Sequence, residues 1–133
     1  MRIMIDTNVL ISAYVLSSAN LLRMIKNIKG QHTIVLPSYV LDELKRVTMR
    51  KFPKKYGLLE SFLKELPYEL ALTPEKIDKT KYPGIRDEKD LPILASAIIE
   101  NVDVLISGDE DFAPIDIEYP EILTPKDFVL KYC

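Results

Sequence analysis

Along this chain, short unbroken apolar runs alternate with stretches in which apolar residues recur every three or four positions, the signatures of buried strands and one-faced helices. Ile3, Met4 and Ile5 form the first run, which stops at Asp6 and predicts a buried strand. Residues 9–15 are apolar again up to the Ser17-Ser18 break. Leu21, Leu22, Ile25 and Ile28 define a helix over 20–29, with Gly30 as its stop. Residues 33–36 read as a second buried strand, cut off by Pro37.

Ser38 can then cap a helix with the stripe Val40, Leu41, Leu44 and Val47, running to Lys51 before Pro53. A further helix is expected over 58–66, a short strand over 69–72, and a long charged loop over 73–88 that carries Pro74, Pro83 and Gly84. Asp90 opens another helix, with Pro92 in its first turn and Leu91, Leu94, Ala95 and Ile98 as its stripe. Residues 102–106 form a strand ending at Ser107-Gly108-Asp109, 122–123 a last strand, and 125–132 a terminal helix. Strands separated by helices, most of them continuous apolar runs, predict an α/β fold: an α/β/α sandwich with a mostly parallel central sheet, in one domain over 1–133. Ligands in such sheets bind beyond the carboxyl ends of the strands, where Asp6 and Asp109 fall.

Composition narrows the chemistry. The 133 residues are 47% hydrophobic and 29% charged, enough for a chain that hides roughly two-thirds of its extended surface without a covalent or metal staple. Cys133 is the only cysteine and His32 the only histidine, so one chain can build neither a disulfide framework nor a Cys- or His-rich metal site. Carboxylates remain as metal ligands. No run approaches the ~18 apolar residues of a membrane span, and the start MRIMIDTNVL lacks the features of a signal peptide. The expectation is a cytoplasmic protein with no membrane partner.

The net charge of -2 excludes steering by a global positive potential but leaves a local basic surface open. Residues 45–55 carry Lys45, Arg46, Arg50, Lys51, Lys54 and Lys55, six of the 18 basic residues, with no acid among them and with Phe52 and Tyr56 interleaved. Phosphate contacts from such a run would be salt-sensitive and largely sequence-blind, and the aromatics suit unpaired bases. A solvated helix end, with lysines favourable to the dipole, accounts for the same residues.

Two more acids sit on helices. At roughly 100° per residue, Glu43 lies on the flank of its apolar stripe, whereas Asp42 points to the opposite side. Asp90 flanks its own stripe at a helix start. Four carboxylates in one cleft repel unless a cation neutralises them. Mg²⁺ or Mn²⁺ takes oxygen ligands, and two such ions can activate a water and stabilise the leaving oxygen of a phosphodiester. Each acid alone has a plainer reading: Asp90 as a helix N-cap, residues 109–111 as a polar turn, Glu43 as a solvated side chain. The joint pattern, an acid at the end of each apolar segment on one side, points to a cleft.

The blocks MIDTNVLIS at 4–12, SYVLDELKRV at 38–47, DEKDLPILASA at 87–97 and VLISGDEDF at 104–112, in that order, resemble the PIN-domain family of nucleases, which includes VapC-type toxins of toxin-antitoxin modules. The resemblance implies a ribonuclease acting on single-stranded RNA with Mg²⁺ or Mn²⁺. It puts Asp6, Glu43, Asp90 and Asp109 at the family's catalytic, metal-ligating acids and Asp111 at an additional acid. It also puts Asn8 and Ser107 at polar positions that orient the cluster. Asp87 is a weaker addition. Partners implied are RNA, an antitoxin protein and a second copy of the chain, through the apolar helix surface near 20–66. His32 and Cys133 have no part in this scheme.

Other readings remain open at this level. A non-catalytic RNA-binding domain would keep the fold, and a housekeeping processing nuclease would keep the chemistry. Phosphohydrolase and receiver domains also end a strand in aspartate. The former wants a second aspartate where Asn8 stands; the latter wants a paired acid near the start and a late lysine after a strand, and neither stands out clearly.

Overall fold

The computed structural model describes residues 1–82, 88–108 and 117–133. Five strands form one sheet in the order β3-β2-β1-β4-β5, with β1 at Arg2–Ile5, β2 at Thr33–Pro37, β3 at Tyr68–Ala71, β4 at Val104–Ile106 and β5 at Glu121–Leu123. Every neighbouring pair is parallel, with Ile3 opposite Ile34 on one side and Val104 on the other. Helices flank this sheet in the α/β/α arrangement: α1 (Thr7–Leu10, continuing as a π-turn over Ile11–Val15), α2 (Ala19–Gln31), α3 (Ser38–Lys51), α4 (Tyr56–Glu65), α5 (Leu91–Ile99) and α6 (Pro125–Tyr132).

The continuous apolar runs are the inner strands because both of their faces are covered. Ile3, Met4, Ile5, Val35, Leu36, Leu105 and Ile106 are fully buried. Burial of α5 extends from Leu91 through Ile93, Leu94, Ala95, Ser96 and Ala97, as expected for a helix inside the molecule rather than at its surface. By contrast α2 buries only Met24, Ile25 and Ile28. No single helix among the described residues is long and apolar enough to cross a membrane.

Most element boundaries move by one or two residues from the sequence reading, and two differences have physical causes. Gly30 does not stop α2, which runs on to Gln31 and ends at the extended His32. An exposed glycine in the last turn weakens a helix without breaking it. Nor does Ser38 cap α3: Pro37 occupies the N-cap position, and the Ser38 hydroxyl instead accepts the Thr73 backbone N–H at 2.9 Å. That bond ties the start of α3 to the exit of β3.

The strand order fixes where a site can form. The chain steps outward from β1 to β2 and β3, then returns to the other side of β1 for β4 and β5. The strand order therefore reverses between β1 and β4, and the carboxyl ends at such a switch point are where sheets of this kind bind ligands.

Candidate active site

Asp6 sits at that switch point. It follows β1 directly, its backbone N–H extends the ladder to Ile106 O at 2.9 Å, and its side chain is 4% exposed. Its extended backbone makes it the N-cap of α1, with Oδ1 accepting the Thr7 N–H at 2.7 Å. Oδ2 accepts the Ser107 hydroxyl at 2.7 Å, and Ser107 is the residue that follows β4. The bond crosses from one central strand to the next at the switch point, between residues 101 positions apart. A buried carboxylate is expensive unless it is hydrogen-bonded, and here both oxygens are bonded and their directions fixed.

Glu43 and Asp90 come from helices beside this end of the sheet. Glu43 is half-buried on α3, while its neighbour Asp42 is exposed. Its Oε2 accepts the Tyr39 hydroxyl at 3.2 Å, one turn back along the helix. Asp90 closes the short turn Glu88–Asp90 ahead of α5 and is 7% exposed. It does not act as a helix cap: its backbone is already helical, and its side chain bonds no N–H of α5.

Tyr39 is within electrostatic reach of both of these acids. Burial, then the charge of Glu43 and the hydrogen bond to it, push the Tyr39 hydroxyl up to about 12, with a smaller push from Asp90 and an opposing pull from Arg46. The phenol is therefore a protonated donor, and it senses both carboxylates. Sequence reasoning passed over Tyr39, although its spacing of four from Glu43 was the signal available.

Other positions separate clearly. Asn8 is exposed on the first turn of α1, with no side-chain hydrogen bond among the described residues, whereas Ser107 bonds Asp6. Asp87, Asp109 and Asp111 lie outside the described residues. Among the described residues no group of three carboxylate, imidazole or thiol side chains is close enough to enclose an ion. His32 precedes β2 at the opposite end of the sheet, and Cys133 is exposed.

Lys45, Arg46, Arg50, Lys51, Lys54 and Lys55 are all exposed. At about 100° per residue, Tyr39, Glu43, Arg46 and Arg50 fall within roughly 60° of one another on α3. The basic run thus begins on the helix face that carries the acid.

A buried, doubly bonded aspartate at the carboxyl ends of β1 and β4 accords with the match of residues 2–111 to the PIN domain family model. The chain belongs to the PIN domain family, a family of nucleases. Among solved structures, it is similar to VapBC2 from Rickettsia felis bound to a DNA fragment from its promoter, at 24% identity and a TM-score of 0.70, covering 92% of this chain and 97% of that one. It is also similar to Mycobacterium tuberculosis VapC20, a sarcin-ricin loop cleaving toxin, at 12% identity and a TM-score of 0.62, with coverage of 87% and 97%. The PIN domain of human SMG5 covers both chains fully at 12% identity and a TM-score of 0.56. No curated protein matches the sequence.

Proposed function

We propose that this chain is a divalent-metal-dependent ribonuclease acting on single-stranded RNA. The observation that carries the proposal is the Ser107–Asp6 bond: it orients a buried carboxylate at the switch point of a nuclease-family fold. The donor set fits a hard cation, since Asp6, Glu43 and Asp90 offer only oxygen, and Mg²⁺ and Mn²⁺ prefer oxygen. Asp109 and Asp111 are the acids that would complete it. Bound ions of this kind supply an activated water and stabilise the leaving oxygen of a phosphodiester.

The residues of the chain divide the remaining work. Asp6 supplies a fixed negative charge, with Ser107 and the Thr7 amide holding its two oxygens in place. Glu43 and Asp90 add charge from α3 and from the turn before α5. Arg46 and Arg50 continue the Glu43 face and receive backbone phosphates, with Lys45, Lys51, Lys54 and Lys55 around them. Binding by such contacts weakens as salt rises. The similarity to VapBC2 and VapC20 supports the toxin of a toxin-antitoxin module, with an antitoxin protein as partner; a cytoplasmic location and a second copy of the chain as dimer mate complete this reading.

The test is cleavage of a labelled single-stranded RNA by the purified chain. Activity is expected with Mg²⁺ or Mn²⁺, lost on chelation, restored by added Mn²⁺, and absent from Asp6→Asn. RNA binding that ignores the metal, with no cleavage under any of these conditions, would leave a non-catalytic RNA-binding domain instead.

A further inference from the structure

Tyr39 stands in the first turn of α3, just past the carboxyl end of β2, and donates its hydroxyl to Glu43 Oε2 at 3.2 Å. The same phenol feels the negative charge of Asp90 on the neighbouring element. Its backbone is tied down independently: Tyr39 N–H donates to Thr73 Oγ1 at 3.1 Å, and Ser96 on α5 donates to the same oxygen at 3.2 Å. Thr73 N–H in turn donates to Ser38 Oγ at 2.9 Å. These bonds join the start of α3, the exit of β3 and the middle of α5, so the phenol's place relative to the helix that follows Asp90 is set by the fold.

We propose that Tyr39 is a positioning residue of the acidic centre, holding the Glu43 carboxylate beside Asp90 so that both present oxygens to one divalent cation. The proposal rests on the metal-dependent reading above and extends it to a residue outside the acidic set. Unheld, a glutamate on a helix flank samples several rotamers, and each cation bound must select one. A phenol restricts Glu43 without cancelling its charge, whereas a lysine or arginine there would compete with the cation. Oε2 retains a second acceptor site, and Oε1 remains available alongside it.

The experiment is an Mn²⁺ titration of the full chain, read by the electron paramagnetic resonance of the free ion, for wild type and Tyr39→Phe. The variant keeps the ring and loses only the hydroxyl. The expected result is about tenfold weaker Mn²⁺ binding, the size seen when a partner of a metal ligand is removed, with an unchanged Tm. Cleavage should need about tenfold more Mn²⁺ for half-maximal rate, with kcat retained at saturating metal. Wild-type affinity in Tyr39→Phe overturns the positioning role while leaving the metal-dependent reading intact. No Mn²⁺ binding by the wild type overturns both. Should the variant fold poorly, the near-ultraviolet tyrosine absorption of the wild type decides: a shift on adding Mn²⁺ supports the role, and an unmoved spectrum overturns it.

Discussion

At the amino ends of the strands carboxylates meet an arginine, and at the carboxyl ends they meet hydroxyls and a backbone amide. Arg2 bonds Glu69 through Nη1 at 2.9 and 3.1 Å, reaches Glu100 at 3.5 Å, and gives its backbone N–H to Asp103 at 2.7 Å. This joins β1, β3, the end of α5 and the approach to β4. At the other end Asp6 takes the Thr7 amide and the Ser107 hydroxyl, and Glu43 takes the Tyr39 phenol. An arginine cancels charge and fastens the sheet. A hydroxyl aims a carboxylate and leaves its charge in place, an arrangement suited to receiving a cation and unfavourable to stability without one.

Substitutions should therefore have opposite consequences at the two ends. Asp6→Asn is expected to reduce RNA cleavage to background. Thermal melting should show its Tm unchanged or raised, because the amide oxygen still accepts from Thr7 and a buried charge is gone. Ser107→Ala leaves the acid in place but unsteadied, and should lower cleavage and Mn²⁺ affinity by about 10- to 100-fold. Arg2→Met inverts the outcome: cleavage stays at wild-type level, while loss of two half-exposed ion pairs, together about 1 kcal/mol, lowers Tm by about 3–5 °C. Reduced cleavage in Arg2→Met at a temperature where it is fully folded would erase the distinction between the ends.

The smallest effect concerns β5 and α6. Bonds from Lys131 and then Tyr132 hold the Glu121 carboxyl below its ordinary value. A lowered carboxyl contributes stability above its unfolded pKa and loses it as pH falls through the folded one. Glu121→Gln should thus melt slightly below wild type at pH 7. The difference should close as pH falls through the acid range, and melting curves across pH would reveal it. A gap that persists in acid would show that the glutamate acts by shape rather than charge.

These expectations draw on features of unequal visibility in the sequence. β1 and its terminal Asp6 were plain, because three fully buried apolar residues end abruptly at an acid. Glu43 rather than Asp42 followed from helical rotation alone. The Asp6–Ser107 bond was not visible as contact, since it depends on β4 returning beside β1 after two outward strands. Ser107 entered through family resemblance instead. Asp90 has a sequence position equally suited to a helix cap, and only its backbone conformation and burial separate the two roles. Tyr39 was missed because half of its surroundings, Asp90 and Thr73, come from distant segments. Asp103 was read as part of a strand, whereas β4 begins at Val104 and Asp103 turns to the Arg2 backbone.

The central claim is that the acids at the carboxyl ends of the strands form one cation site. Diffraction from a crystal soaked in Mn²⁺, with anomalous data collected near the manganese edge, tests it most directly. The account predicts an anomalous peak within coordination distance of Asp6 and Asp90, lost in Asp6→Asn. Peaks found only elsewhere, or none, with the Asp6 and Asp90 carboxylates splayed apart, would contradict it.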